Sequence, residues 1–251
     1  MKFNLSLVAL LAALICPGTA RAAGPKTEIV HFQNGKETVS GFLASPEKPG
    51  RYPGIIVVHD WWGLTDWVKD KTQKLADQGF VALAVDLYDG KLPANATEAS
   101  ELSHGVPENR AVLDLMAGIV YLTTRNDVEH DRIGAVGWAM GGAYSLRLAT
   151  LVPRLGACVV NYGVLPTDPN ELQNIGAPVL GNFGADDHGV TPADVQAFEK
   201  SMKNLNRRVD LKIYDGAGHS FENPNEKDAY RPDAAEDAWS RTVAFLSKSL
   251  K

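Results

Sequence analysis

Cysteine is nearly absent from this chain of 251 residues, which carries two, Cys16 and Cys158. Cys16 falls in an N-terminal leader, so the mature chain keeps Cys158 alone and has no internal disulfide, even in an oxidising compartment. Cys158 lies in the apolar run Leu155–Val160 and reads as a buried core thiol rather than a nucleophile. Blocks of lysine or arginine are missing too. Basic residues number 25 against 30 acidic, a net charge of −5 with histidine neutral. No cluster of the kind that tracks phosphates appears, which argues against nucleic acid as a partner. Internal repeats, linkers and low-complexity segments are also lacking, so the chain reads as one domain.

What is present begins with a signal peptide over residues 1–22. Lys2 supplies a short positive start, Leu5–Ile15 an apolar run, and Ala20-Arg21-Ala22 a cleavage site of the A-x-A kind. The apolar run is too short for a permanent membrane anchor. Ile15 stands before Cys16 where a lipoprotein site wants a small residue. The mature domain, residues 23–251, is expected to be secreted or periplasmic. Losing Lys2 and Arg21 leaves 23 basic against 30 acidic residues, a net charge of −7. Asn95-Ala96-Thr97 matches a glycosylation acceptor, which matters only in a eukaryotic secretory route. Nothing in the sequence speaks to oligomeric state.

The chain is organised around Arg132–Ser145. Ile133–Val136 is an apolar run of strand length, and Ala143–Thr150 reads as a helix. A strand that becomes a helix within a few residues needs small residues at Gly137, Gly141 and Gly142, where side chains would meet neighbouring backbone or positive φ is required. The apex, Ala139, would sit at the helix N-terminus, where backbone N–H groups face an anion. This is the shape of a nucleophile elbow, Gly-x-Nuc-x-Gly, whose apex should be Ser or Cys. A dinucleotide-binding turn is the rival reading. It wants glycine at the third position, an acidic residue about 20 residues on, and a place in the first strand–helix unit, and the stretch has none of these.

Thr27–Phe32 and Thr38–Ala44 alternate as paired edge strands across the turn Asn34-Gly35. Ile55–Val58 is a β-branched run of the kind buried on both sheet faces. Helices are expected over Asp66–Gln78, Glu108–Leu122, Ala193–Met202 and Ala234–Leu250. Further strands are expected over Phe80–Val85, Leu155–Val160, Pro178–Phe183 and Val209–Tyr214. Strands alternating with helices imply a single α/β domain, a mostly parallel sheet flanked by helices on both faces.

In such a sheet ligands bind beyond the C-terminal strand ends. The loops expected there are His59-Asp60-Trp61-Trp62-Gly63, the elbow, Gly184-Ala185-Asp186-Asp187-His188, and Asp215-Gly216-Ala217-Gly218-His219. Apex, acid, histidine is the chain order of the α/β-hydrolase triad. His219 would act as general base, although alone it would read as a surface loop histidine. Asp187 would orient it, with Asp186 a rival and turn residues the plainer reading of both. Asp186, Asp187 and His188 are a weak metal signal, because adjacent side chains diverge and no second ligand cluster stands out. The backbone N–H groups of Trp61 and Met140 are the candidate oxyanion donors, which survive any change of side chain. Trp61, Trp62 and Trp138 together imply an aromatic-walled pocket, though core packing is the plainer reading of any one tryptophan.

Taken together, Gly137-Trp-Ala-Met-Gly-Gly142, Asp86-Leu-Tyr88, Gly184-Ala-Asp-Asp187 and Gly216-Ala-Gly-His-Ser-Phe221 resemble the dienelactone hydrolase family, over about Thr27 to Leu250. The resemblance implies an α/β-hydrolase fold and hydrolysis of lactones and small esters without metal or cofactor. It also implies a Cys–His–Asp triad whose positions fall on Ala139, His219 and Asp187. A family glutamate that touches the resting cysteine falls on Asp60, and Tyr88 joins Asp60, Trp61, Trp62 and Trp138 as an expected pocket residue. Two departures stand beside Asp60, which is one methylene shorter. Ala139 has no nucleophilic atom, so the family's acyl-enzyme cannot form. Two arginines that clamp a substrate carboxylate in dienelactone-cleaving members fall on Gly90 and Asn223.

Two functions follow as expectations. One is a secreted or periplasmic carboxylic ester or lactone hydrolase, in which Ala139 is either an inactivating change or is bypassed by water. The other is a catalytically inactive relative that holds a small ester, lactone or acid in a tryptophan-lined pocket.

Overall fold

A computed structural model describes residues 24–251, and the leader expected over residues 1–22 lies outside them. Two N-terminal strands, β1 (Lys26–Asn34) and β2 (Glu37–Ser45), pair antiparallel through the Asn34-Gly35 turn. Six more strands follow: β3 (Tyr52–Val58), β4 (Val81–Val85), β5 (Val128–Trp138), β6 (Ala157–Asn161), β7 (Val179–Gly184) and β8 (Val209–Tyr214). The sheet order is β1-β2-β4-β3-β5-β6-β7-β8. β2 meets β4 antiparallel, and every pairing from β4 to β8 is parallel. The expected α/β domain with a mostly parallel sheet is the fold observed.

Alternate residues of β3 serve opposite faces, as the pleat requires. Ile56 and Val58 join a core with Leu115 and Leu122 of α3 (Glu108–Thr124), Leu146 of α4 (Met140–Leu151) and Phe198 of α6 (Pro192–Asn204). Ile55 and Val57 join a second core with Val68 and Leu75 of α1 (Asp66–Asp77) and Leu246 of α7 (Pro232–Leu250). All four of these β3 residues are fully buried, which is why Ile55–Val58 reads as an unbroken apolar run rather than an alternating one. The chain runs from β3 to β4 on one side and, later, to β5 on the other. The switch point of the sheet therefore lies beside β3 and β5, where such folds place ligands.

Several boundaries differ from expectation. Helix α2 (Ala96–Gly105) was not anticipated. It buries Ala99 alone and so leaves no apolar stripe, and it is started by Asn95, whose side chain accepts the Glu98 N–H at 3.0 Å. The one-turn helix α5 (Pro169–Leu172) is likewise new. β5 begins five residues early, because Val128 and Glu129 pair with Tyr52 and Pro53 before a bulge shifts the register to Gly54 opposite Ile133. α4 starts at Met140, directly after the apex, and not at Ala143.

Candidate active site

The elbow is built by close approach. A Cβ at Gly137 would stand 2.1 Å from the Gly141 carbonyl oxygen, and one at Gly141 would stand 2.2 Å from that of Val58. Only glycine lets α4 begin this near β3 and β5. Positive φ falls elsewhere, on the apex: Ala139 has φ 50° and ψ −115°. Its N–H donates to the Asn161 carbonyl at 2.9 Å and its carbonyl accepts the Ala143 N–H at 3.1 Å. A ladder of buried amides supports this from below. Asn161 Nδ2 donates to the Gly137 carbonyl at 3.2 Å, and Asn182 Nδ2 donates to Asn161 Oδ1 at 2.8 Å.

His219 and Asp187 meet above β7 and β8. His219 Nδ1 lies 2.8 Å from Asp187 Oδ2, so with an ionised carboxylate Nδ1 carries the proton and Nε2 is left as the base. Asp187 is nearly fully buried, which alone would raise its pKa. The bond to His219, with those from the Val190 and Gly189 N–H groups at 3.0 and 2.8 Å, holds it below the ordinary aspartate value. Asp186 is exposed and does not contact the ring; its N–H serves the Ala217 carbonyl. Tyr162 packs edge-on against the imidazole at 5.3 Å.

The loop after β3 is pinned by a buried histidine. His59 Nε2 accepts the Leu87 N–H at 3.2 Å, so Nδ1 donates to the Asp60 carbonyl at 2.6 Å. Burial holds this imidazole neutral by lowering its pKa. The arrangement fixes the backbone that carries the Trp61 N–H. Neither that N–H nor the Met140 N–H has an acceptor among the described residues, as donors aimed at a developing oxyanion require. Asp60 is 3% exposed. It accepts the Trp62 N–H at 2.9 Å and faces Asn223 Nδ2 at 3.5 Å, and burial pushes its carboxyl up to about 7.

A cavity of about 640 Å³ opens over these groups, walled by Trp61, Ala139, Met140, Tyr144, His219 and Glu226 among others. The other expected wall residues stand behind it. Trp62 Nε1 donates to Glu226 Oε1 at 2.6 Å. Tyr88 is buried, with its hydroxyl 3.7 Å from Met140 Sδ. Trp138 departs most from expectation. It is fully buried in the second core, edge-on to Trp67 at 5.1 Å, and its Nε1 donates to buried Glu222 at 3.2 Å. Alternation along β5 turns the residue before the apex away from the cavity. Sequence reasoning missed Asn161, Asn182, Tyr162 and Glu226. Asn161 ends β6, Tyr162 follows it, and Asn182 pairs with Asn161 from β7, a placement visible only once strands are paired. Gly90 is exposed and Asn223 buried against Asp60, so neither puts a cation in the site. Ser145 is buried within α4 and Cys158 within β6, where burial raises the thiol pKa. Among the described residues no three His, Cys, Asp or Glu side chains gather as a metal site.

The chain has relatives. Residues 39–250 match the model of the dienelactone hydrolase family. The chain is 32% identical to Protein usf of Aquifex pyrophilus, over 89% of this chain and 99% of that one. It is 33% identical to a probable 2-oxo-3-(5-oxofuran-2-ylidene)propanoate lactonase of Bradyrhizobium sp, over 85% of this chain and 90% of the other. Among solved structures, a dienelactone hydrolase-like promiscuous phosphotriesterase from metagenomic libraries superposes with a TM-score of 0.83 at 26% identity, covering 91% of this chain and all of that one. With the family model matched over residues 39–250, this chain belongs to the dienelactone hydrolase family.

Proposed function

We propose that the chain takes a small carboxylic ester or lactone into the cavity beside Ala139 and hydrolyses it slowly, by direct attack of water. One observation carries this reading: the His219–Asp187 pair, closed at 2.8 Å, faces an elbow whose apex offers no nucleophile. A water in the space above Ala139 gives its proton to His219 Nε2 as its oxygen bonds to the carbonyl carbon. The carbonyl electron pair moves onto oxygen and is received by the Trp61 and Met140 N–H groups. On collapse the bond to the leaving oxygen breaks, and His219 returns the proton to that oxygen. Asp187 stays ionised throughout and stabilises the imidazolium. No acyl-enzyme forms, so the acceleration is only what binding and the oxyanion donors supply, roughly 10³–10⁴-fold over water. The lactonase among the relatives supports a lactone or ester as the ligand class.

The test is a short-chain chromogenic ester. The unchanged protein should turn over without a burst, and His219→Ala should abolish that turnover. Ala139→Cys should introduce an acyl burst and raise turnover at least ~10²-fold. Equal activity of the parent and Ala139→Cys would overturn the apex assignment. Ala139 itself favours a second reading, retention of the ligand without cleavage, in which ligand quenches Trp61 fluorescence saturably while no product appears. We propose also that residues 1–22 direct export and are removed, leaving 23–251 as the working domain. N-terminal sequencing of the exported protein tests this.

A further inference from the structure

Resting on the ester-or-lactone reading above, we infer that the cavity selects ligands carrying a cationic group and turns away carboxylate-bearing ones, with Glu226 as the residue that sets the preference. The ionisable side chains of the cavity wall are Glu226, His104, His219 and Tyr144, and neither lysine nor arginine is among them. No cationic side chain of the described residues stands within salt-bridge distance of Glu226. Its charge therefore faces the ligand space unneutralised.

Glu226 is a placed group. Its N–H donates to the Asn223 carbonyl at 3.0 Å, and its own carbonyl accepts the N–H groups of Ala229 and Tyr230 at 2.9 and 2.8 Å. Trp62 Nε1 then fixes one carboxylate oxygen at 2.6 Å, a charge-assisted bond. Trp62 in turn packs edge-on against Trp61 at 5.2 Å, so the carboxylate and the aromatic wall form one connected surface. A cation over the Trp61 or Tyr144 ring and near Glu226 gains from both the ring quadrupole and the carboxylate. A carboxylate there meets repulsion with no compensating partner. The reach of the field shows at Asp60, whose carboxyl is raised first by burial and further by Glu226.

Three probes of similar shape and no cleavable bond test this: choline, 3,3-dimethylbutan-1-ol and 3,3-dimethylbutanoate. Binding is read by tryptophan fluorescence and calorimetry at low ionic strength, independently of any hydrolysis. Choline should bind on the order of ten-fold more tightly than the alcohol, and the carboxylate most weakly. Glu226→Gln keeps an acceptor for Trp62, so it should remove most of choline's advantage, leaving only what the rings supply, and leave the alcohol unchanged. Glu226→Lys should reverse the order. Equal binding of choline and alcohol, or a preference undiminished by Glu226→Gln, overturns the charge selection while the bound alcohol keeps the ester reading alive. Binding of none of the three overturns both.

Discussion

Ala139 holds φ 50° and ψ −115°, a conformation that costs a residue with a Cβ about 1–3 kcal/mol. In a working elbow that strain projects the nucleophile; here it projects a methyl group. The backbone is over-determined by its neighbours, since the Asn161 carbonyl, the Ala143 N–H and the glycines at 137 and 141 all require this path. Ala139→Gly should therefore relieve the strain, offset in part by glycine's extra freedom in the unfolded chain. The expected net gain is about 1 kcal/mol in urea unfolding. An unchanged or lowered midpoint would mean that the elbow is relaxed as it stands.

At the scale of elements, the critical joint is the N-terminus of α4 against the end of β3. Gly141 has no room for a methyl group, because both the Val58 and His59 carbonyl oxygens lie within 2.5 Å of where its Cβ would be. Those oxygens are backbone of the last residue of β3 and the first of the Trp61 loop, so neither can yield alone. Gly141→Ala should cost about 3 kcal/mol or more. Introduced alongside Ala139→Cys, it should also erase the restored acyl burst even in the fraction that remains folded by circular dichroism. A burst of full size in the double variant would show that α4 can withdraw without disturbing the Met140 N–H, and the packing argument would fall.

At the scale of the whole molecule, two buried charges sit across the second core. Lys71 of α1 is 7% exposed and lies over the Trp239 ring at 4.3 Å, while Glu222 accepts from Trp138 and is 2% exposed. Burial pushes Glu222 up from 4.5 to about 7, against the opposing pull of Lys71, whose own pKa burial lowers. A carboxyl whose folded pKa lies above its unfolded one binds more protons folded than unfolded between those values. Its contribution to stability is therefore lost as pH rises from about 4.5 to about 7. Glu222→Gln keeps an acceptor for Trp138 and removes the titration. Between pH 4.5 and 8 the parent should lose up to about 3 kcal/mol more unfolding free energy than the variant. Asp60 is common to both and cancels. Parallel pH profiles would place the Glu222 pKa near its unfolded value and refute the assignment.

The sequence by itself determined the fold class, the elbow and the loops that carry Asp187 and His219. These are signals written in consecutive residues: apolar runs of strand length, glycines at a strand–helix turn, and the order of loops after strands. A side chain's neighbour across the sheet is not written that way. Pairing β5 with β6 and β6 with β7 brought Asn161 and Asn182 under the apex, and the choice between Asp186 and Asp187 waited on which carboxylate turned inward. Helix α2 escaped notice because an exposed helix needs no apolar stripe. The tertiary structure also moved Trp138 from the pocket wall to the core, since one residue's shift along a strand exchanges faces. Glu226 entered the cavity through its bond to Trp62, 164 residues away in the chain. The nature of the apex was legible from the start, because a missing nucleophile is a matter of covalent composition that no folding can supply.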